Sequence, residues 1–466
     1  MTVTEHLVAF TFRDFSHFLP TIQLCTILAK TKNTHTTIVL DETSIKRIHD
    51  SNLIPEELKD SVPGIQLYPF SSDNNEMPDF FDAMVAATPK AVEDISEKIP
   101  VTGFIFETFG AHAYEKTVQF NLPHYVFFSI NALATTHRAA PSFYPEMFKA
   151  QPKLPERVTH EVCLTSVNDI EMLHWLNKRF KTGLISAPPI EHEVNNLPRP
   201  TKSRMHDDKY LIKAMKSAKA ILINSFEAFD NEESFKHLMT HPEMKSEFKM
   251  VGPVGLYREI KARDNLDHPI LTWLDGQKES SVLYVAHGSH LVIKDSEVPE
   301  LEKALLELDI PFIWSLPEKQ HHLLADKSLC ISKDVESINQ KAVITSWAPQ
   351  DGILKHKNTA AFVSHVGWNS MLEAMNGGVP IVAWPLFAEQ FINASMVSAK
   401  GMGILMEGTS RVSETYLKSD DIKSQILKVL PEDGTSPFKA KMQYYQNEIR
   451  NAVERNGTSF NSICSL

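Results

Sequence analysis

The 466-residue sequence is poor in the residues that mark several common protein classes. Its only 4 cysteines are widely scattered and lack the spacing of a metal site, which indicates reduced thiols as in the cytosol (Cys25, Cys163, Cys330 and Cys464). No excess of basic residues is present, and the net charge of −11 argues against nucleic acid or an anionic membrane as the main partner.

Long apolar runs are also missing from both ends of the sequence. The apolar segment HLVAF near the start has five residues and is soon followed by Arg13 and Asp14, which is not a secretory pattern. The last residues, NGTSFNSICSL, contain no membrane span, and Cys464 is third from the end, so it does not form a prenylation signal. We therefore expect a cytoplasmic protein without a membrane span, and we expect it to be a monomer.

Two regions of alternating strand and helix patterns make up most of the chain. In the first, the segments HLVAFTF, HTTIVL, VTGFIFET, HYVFFSI and AILINSF predict strands separated by amphipathic stretches. A second α/β region begins at SVLYVAHGS and continues through PFIWSL and KAVITSW. A polar stretch with Gly252-Pro253 lies between them. The predicted domains are residues 1–248, residues 249–440 and a final helix in residues 441–466.

The most informative stretch is the 44 residues from Trp347 to Gln390. AAFVSH predicts a buried parallel strand, VGWNSMLEAM a turn that enters a helix, and VPIVAW a second strand. Such a βαβ unit points a helix N-terminus, with its N–H groups and partial positive charge, at a ligand beyond the strand ends. A diphosphate suits that position. Ser370 and Glu373 also fit an N-terminal capping box, which would merely finish the helix.

This stretch resembles the signature box of plant-type UDP-glycosyltransferases, and the resemblance extends over nearly the whole chain. It implies the GT-B fold, in which two Rossmann-like α/β domains with parallel sheets face each other across a cleft and the final helix returns to the first domain. TWLDGQKESSVLYVAHGS is similar to the start of the family's second domain, although His287 stands where the family usually has Phe. We expect this histidine to pack rather than to line the cleft.

The resemblance implies a donor site for a UDP-sugar. Trp347 would stack on uracil, a contact worth about 1–3 kcal/mol, and Gln350 would hydrogen-bond the edge of the base. Glu373 can accept both ribose hydroxyls through its two oxygens. Phosphates would be held by His365, Asn369 and Ser370, and the sugar by Trp368, Glu389 and Gln390. The complete implied set is Ser289, Trp347, Ala348, Gln350, His365, Gly367, Trp368, Asn369, Ser370, Glu373, Glu389 and Gln390.

Transfer to a hydroxyl needs a base, and a histidine suits this because its ordinary pKa is near neutrality. His17, in RDFSHFLP, follows the first predicted strand and matches the spacing of the family's catalytic histidine. The family orients that imidazole with an aspartate, but here Glu107 stands at that position in IFETFG. Glu107 could orient the imidazole in the same way with one more methylene, and a working His17–Glu107 pair is the main hypothesis. Because a displacement of about 1 Å in a catalytic constellation can cost about a hundredfold in rate, a histidine that works alone and an atypical acceptor stay open as alternatives.

The function that the resemblance implies is an inverting UDP-sugar-dependent glycosyltransferase, and we expect it to need no metal or other cofactor. Gln390 matches the residue associated with glucose donors, so UDP-glucose is the expected donor. Residues 141–148 and 186–198 are candidate linings for a small apolar, phenolic or flavonoid-like acceptor. One alternative is a UDP-sugar-binding protein whose catalysis is weak or lost through Glu107. A dinucleotide-dependent oxidoreductase is the other, but GMGILMEG lacks the third glycine of GxGxxG.

Overall fold

A computed structural model describes residues 4–59, 61–72, 77–132, 134–135, 202–230, 239–258, 260, 268–288, 292–326, 341–386, 389–409, 416–430 and 436–466. These residues form two compact units. The first takes the described residues within 1–156, 200–261 and 450–466, and the second takes those within 262–449. Ser289 and the two candidate acceptor linings, 141–148 and 186–198, lie outside the described residues.

The first unit contains one parallel sheet with the order β3-β2-β1-β4-β5-β6-β7. Its strands are β1 Glu5–Phe10, β2 Thr34–Asp41, β3 Ile65–Phe70, β4 Gly103–Glu107, β5 His124–Phe128, β6 Ala220–Ile223 and β7 Glu247–Met250. Its helices are α1 Phe15–Lys32, α2 Glu42–Asp50, α3 Met77–Lys98, α4 Tyr114–Thr117 and α5 Lys202–Ser217.

Helices cover both faces of this sheet, so its central strands are buried on both sides. Along β1, Leu7 and Ala9 enter a core that includes residues of α1, whereas Val8 and Phe10 enter the opposite core, which includes residues of α3. Successive side chains of a strand point to opposite faces, and a continuous apolar run therefore suits a central parallel strand. This burial explains why the sequence pattern for β1 is apolar throughout.

The second unit repeats the plan with the sheet order β10-β9-β8-β11-β12-β13, again parallel. Its strands are β8 Val282–Ala286, β9 Phe312–Ser315, β10 Ala342–Thr345, β11 Thr359–Ser364, β12 Ile381–Ala383 and β13 Gly403–Leu405. Its helices are α6 Pro269–Asp275, α7 Val298–Glu307, α8 Gln350–Lys355, α9 Trp368–Gly377, α10 Gln390–Ala399 and α11 Ser419–Leu427. The strand order reverses between β8 and β11, and ligands of such sheets bind beyond the strand ends at this point.

Both predicted Rossmann-like parallel sheets are present, but two predicted boundaries need correction. The proposed boundary at 248/249 falls inside β7, which pairs with β6 and belongs to the first unit, and the units divide after Lys261 instead. The last segment is two helices, α12 Lys439–Val453 and α13 Thr458–Cys464. Asn456, at φ 72°, interrupts the helical backbone between them.

The end of the chain packs on the first unit. Val453 and Ile463 are part of the same core as α1 residues. Among the described residues, no helix combines the length and apolar character needed to cross a membrane.

Candidate active site

His17 and Glu107 are brought together at the carboxyl ends of neighbouring strands. His17 lies in the first turn of α1, which follows β1, and Glu107 is the last residue of β4, the partner of β1. The distance from His17 Nδ1 to Glu107 Oε1 is 2.8 Å. The side chain of His17 is 19% exposed, whereas that of Glu107 is 0% exposed. A residue pair that is 90 positions apart in sequence is thus in direct contact.

Glu107 receives further hydrogen bonds in its buried position. The Ser129 hydroxyl donates to Oε1 at 3.1 Å, and the backbone N–H of Phe109 donates to Oε2 at 3.2 Å. Burial acts to raise the pKa of Glu107, but the nearby His17 ring and the hydrogen bonds from His17 and Phe109 outweigh it, so the pKa lies below its usual range. The carboxylate is the favoured form in this environment.

Sequence reasoning missed Ser129. It follows β5, which is adjacent to β4 in the sheet, and its side chain is buried. A polar residue directly after an apolar strand, as in HYVFFSI, is the signal that could have identified it, because carboxyl ends of adjacent parallel strands meet at one edge.

The His17 imidazole sits among aromatic rings. Phe109 contacts it edge-on with ring centroids 4.9 Å apart, and Phe12 does the same at 5.7 Å. Phe81 stacks on Phe12 with centroids 5.5 Å apart. These rings make an apolar wall beside the only partly exposed imidazole, which suits a flat apolar ligand and limits access of water.

In the second unit, the predicted phosphate-binding turn joins β11 to α9. Gly367 is the N-cap of α9, and no side chain caps this helix. The predicted Ser370–Glu373 capping box is therefore wrong, because the helix begins earlier, at Trp368. Both side chains instead contact Gln350. Gln350 Nε2 donates to Ser370 Oγ at 3.0 Å and to Glu373 Oε2 at 2.6 Å.

Gln350 connects these residues to the central strand of the sheet. It is the first residue of α8, and its Oε1 accepts a hydrogen bond from the Tyr284 hydroxyl on β8 at 3.2 Å. Tyr284 is buried, which raises its pKa and keeps the hydroxyl protonated as a donor. Three predicted donor-site residues, Gln350, Ser370 and Glu373, thus form one network, and Tyr284 is a member that the sequence analysis did not identify.

His365 lies against two glycines from different loops. A Cβ atom on Gly288 would be 2.7 Å from His365 Nε2, and one on Gly367 would be 2.6 Å from the same atom. Gly288 also has φ 82°, a conformation that disfavours other residues. Between His365 and Gly367, the buried Val366 has φ 54°, which is unusual for a β-branched residue. Backbone strain of this kind occurs where the surroundings impose it, often at binding sites.

His287 packs inside the second unit, as the sequence analysis expects. Its ring contacts Trp384 edge-on with centroids 5.1 Å apart, and only 6% of the residue is exposed. Its Nε2 has no hydrogen-bond partner among the described residues. Burial, and secondarily the proximity of His365, lowers the pKa of His287 to about 3, so the ring is neutral.

The other predicted donor-site residues differ widely in exposure. Trp347 is 61% exposed and its ring meets His268 at 5.5 Å. Trp368 is buried at the start of α9, as is Ala348 beside Trp347, and Asn369 follows Trp368 in the first turn of α9.

Two of the three residues predicted for the sugar, Glu389 and Gln390, begin α10, whereas Trp368 begins α9. Glu389 is its N-cap and Gln390 its first residue. Gln390 is buried, and its Oε1 accepts the backbone N–H of Leu386 at 2.9 Å. This bond fixes the amide orientation. Within the described parts of both units, no group of three or more His, Cys, Asp or Glu residues is placed to hold a metal ion.

Comparisons with known proteins agree on one family. Residues 241–433 match the model described as UDP-glucoronosyl and UDP-glucosyl transferase. Nuatigenin 3-beta-glucosyltransferase from Solanum aculeatissimum is 33% identical over 239 residues, which is 48% of each protein. Flavonol 3-O-glucosyltransferase UGT71C1 from Arabidopsis thaliana is 28% identical over 385 residues, 79% of this chain and 73% of that protein.

A solved structure has the same fold over nearly the whole chain. UGT2 from Phytolacca americana, complexed with UDP-2fluoro-glucose and pterostilbene, aligns with a TM-score of 0.75 over 99% of this chain and 98% of that one, at 20% identity. This likeness confirms the predicted GT-B fold, with the two parallel sheets as its two Rossmann-like domains.

Proposed function

Because the chain belongs to the plant-type UDP-glycosyltransferases, we propose that it transfers glucose from UDP-glucose to a hydroxyl group of a small apolar phenolic acceptor. The product is a β-glucoside, formed with inversion at the anomeric carbon. The observation that carries this proposal is the 2.8 Å contact between His17 Nδ1 and the fully buried Glu107. A buried carboxylate bonded to an imidazole at a strand end is an arrangement that orients a histidine as a general base.

His17 is the proposed base. With the Nδ1 proton donated to Glu107, the lone pair of the neutral ring is on Nε2. Nε2 takes the proton of the acceptor hydroxyl while the oxygen attacks the anomeric carbon of the glucose. The bond from that carbon to the UDP oxygen breaks, and its electrons stay with the diphosphate. Glu107 stabilises the imidazolium that forms.

Donor binding is assigned to the second unit. The exposed ring of Trp347 is available to stack on uracil. Glu373, whose Oε2 is held by Gln350, accepts the ribose hydroxyls. The N-terminus of α9 and His365 stabilise the charge on the departing diphosphate. No metal takes part in the proposed reaction, so a chelator should leave the rate of glucose transfer unchanged.

Glucose and a phenolic acceptor are the favoured substrates. Glu389 and Gln390, both at the start of α10, offer a carboxylate and an amide to adjacent sugar hydroxyls. The aromatic wall of Phe12, Phe81 and Phe109 beside the base suits a flat acceptor. The similar protein from Arabidopsis thaliana is named a flavonol 3-O-glucosyltransferase, which supports the same acceptor class.

The alternative hypothesis, a UDP-sugar-binding protein that has lost catalysis through Glu107, is less well supported. The glutamate does reach the imidazole at hydrogen-bonding distance. An extra methylene has therefore not separated the pair.

The test is a metal-free incubation of UDP-glucose with a panel of phenols, flavonoids and small alcohols, in which UDP release and product mass are followed together. We expect a glucosylated phenol from the wild type, and a loss of at least about a hundredfold in His17→Ala with unchanged Kd for UDP. Trp347→Ala is the matched control, since it should weaken UDP binding about tenfold or more. Binding of UDP without glucose transfer or donor hydrolysis would instead support the alternative hypothesis of a binding protein.

We also propose that the protein acts as a monomer in the cytoplasm. The net charge of −11 gives its surface no general attraction to anionic membranes. Light scattering at micromolar concentration and the distribution of a fluorescent fusion test the two parts of this proposal. A dimer mass or a membrane-associated fusion would contradict them.

A further inference from the structure

We propose that Ser129 is a positioning residue that compensates for the extra methylene of Glu107 and keeps its carboxylate on the His17 ring. This inference rests on the proposed function, because it assumes that the His17–Glu107 pair removes the acceptor proton. It concerns a residue outside the predicted site and a feature, the glutamate, in which this chain departs from the family pattern.

Ser129 is placed to donate to one atom of the pair. Its Oγ is 3.1 Å from Glu107 Oε1, the same oxygen that contacts His17 Nδ1. Oγ also lies 3.4 Å from His17 Nδ1. Because Nδ1 carries the proton in a ring that donates to Glu107, the hydroxyl hydrogen points to the carboxylate. Oε1 thus receives two donors and Oε2 receives the Phe109 N–H.

The backbone of Ser129 is itself tied down. Its carbonyl oxygen accepts from Asn224 Nδ2 at 3.5 Å, and the Oδ1 of Asn224 accepts the N–H of Val254 at 2.9 Å. Asn224 and Ser129 are both buried. Ser129, which directly follows β5, therefore holds its hydroxyl in a fixed position next to the end of β4.

A glutamate at this position needs such a partner more than an aspartate does. The glutamate side chain has one more rotatable bond, so its carboxylate has more positions to choose from in the absence of donors. Donors from His17, Ser129 and the Phe109 backbone, together with the Thr108 side chain, select one of these positions. Shortening the side chain by one carbon would withdraw the carboxylate by about 1.5 Å, beyond hydrogen-bonding reach of the same hydroxyl unless the backbone moves.

The experiment is a double-mutant cycle between Ser129→Ala and Glu107→Asp, with transfer to a phenol as the readout. Ser129→Ala alone should lower kcat on the order of tenfold, with the KM of the acceptor and the Kd for UDP unchanged. In the Glu107→Asp background, the same substitution should change kcat less than about twofold, because the hydroxyl no longer meets the carboxylate. Ser129→Thr keeps the hydroxyl, so this variant should retain most of the wild-type kcat.

Ser246→Ala provides the matched control. Its hydroxyl is also buried, but it donates to the carbonyls of Met215 and Ala218, away from the pair. This variant should keep the wild-type kcat. An equal loss from Ser129→Ala in both backgrounds would overturn the proposal, as would a raised donor KM at unchanged kcat.

A second readout does not depend on transfer. The ¹⁵N chemical shifts of imidazole distinguish the Nδ1–H tautomer from the Nε2–H tautomer, and His17→Ala identifies the signal. The wild type should hold His17 in the Nδ1–H form, and Ser129→Ala should show a mixture. Unchanged tautomer populations in Ser129→Ala would refute the positioning role, whereas the expected mixture in a protein without transfer would contradict only the proposed function.

Discussion

Replacing His287 by phenylalanine should make the second unit less sensitive to acid. The imidazole is 6% exposed, packs on Trp384 and leaves Nε2 without a partner among the residues that the structure describes. A buried polar atom of this kind costs about 1–3 kcal/mol. Phenylalanine keeps the aromatic contact and removes the polar atom, so His287→Phe should stabilise the unit at neutral pH as well.

The size of the acid effect follows from the pKa of His287, which is lowered from 6.5 to about 3 by burial and by its neighbour His365. Because the pKa is lower in the folded state, the unfolded chain binds more protons below pH 6.5, and stability falls as the pH falls from there towards 3. At pH 5 the loss is about 2 kcal/mol relative to neutral pH, at about 1.4 kcal/mol for each pH unit below the unfolded value. His287→Phe should lack this loss.

Amide hydrogen exchange in β8 measures the opening free energy of the second unit directly. Between pH 7 and pH 5, the opening free energy of the wild type should fall by about 2 kcal/mol more than that of His287→Phe, after correction for the intrinsic exchange rates. His6→Gln is the control in the first unit, because burial lowers the pKa of His6 to about 4 but its ring nitrogens bond Ile99 and Thr37. It should leave exchange in β8 unchanged. Equal losses in the wild type and His287→Phe would refute the reasoning.

Two further substitutions test the donor site through UDP binding measured by calorimetry. Tyr284→Phe removes the hydroxyl that donates to Gln350, and it should raise the Kd for UDP about threefold to tenfold without unfolding the protein; an unchanged Kd would show that this contact does not support the site. Gly288→Ala should raise the Kd about tenfold or more, because its φ is 82° and the new Cβ would meet His365 Nε2 at 2.7 Å. Gly276→Ala is its control, since the nearest atom would be 3.4 Å away, and equal effects of both alanines would contradict the close-approach argument.

The fold was predictable because its determinants are local and repeated. Apolar runs such as HLVAF and AAFVSH became the central strands β1 and β11, and each is buried from both faces of its sheet. The boundary at 248/249 was not predictable in the same way. The segment EFKM of β7 has exposed and partly exposed residues, as suits a strand at the sheet edge, so its composition resembles that of a linker.

The resemblance proposes the members of the candidate donor site, but it does not predict their contacts with one another. The resemblance implied that Gln350, Ser370 and Glu373 belong to one site, and in the structure the Gln350 side chain donates hydrogen bonds to both Ser370 and Glu373. The sequence also allowed Ser370 and Glu373 to cap the helix, because a capping box and a ligand site use the same residue types. What decides between the two is where α9 begins, and element boundaries are the least certain part of a pattern.

The His17–Glu107 pair shows where sequence reasoning ends. The strand end identifies His17 as a candidate, and the resemblance to the family identifies Glu107. Whether a glutamate reaches the imidazole depends on distances of about 1 Å, which are set by strand register and by the donors around the carboxylate. Phe10 of β1 pairs with Phe106 of β4, so Glu107 extends one residue beyond the paired stretch towards α1. Ser129 then meets the carboxylate only because β5 lies beside β4, although it is 22 residues away in the chain. Glutamate can replace the shorter aspartate here because Ser129, which follows a third strand, places its hydroxyl within hydrogen-bonding distance of the Glu107 carboxylate. No local sequence pattern reveals that β5 lies beside β4.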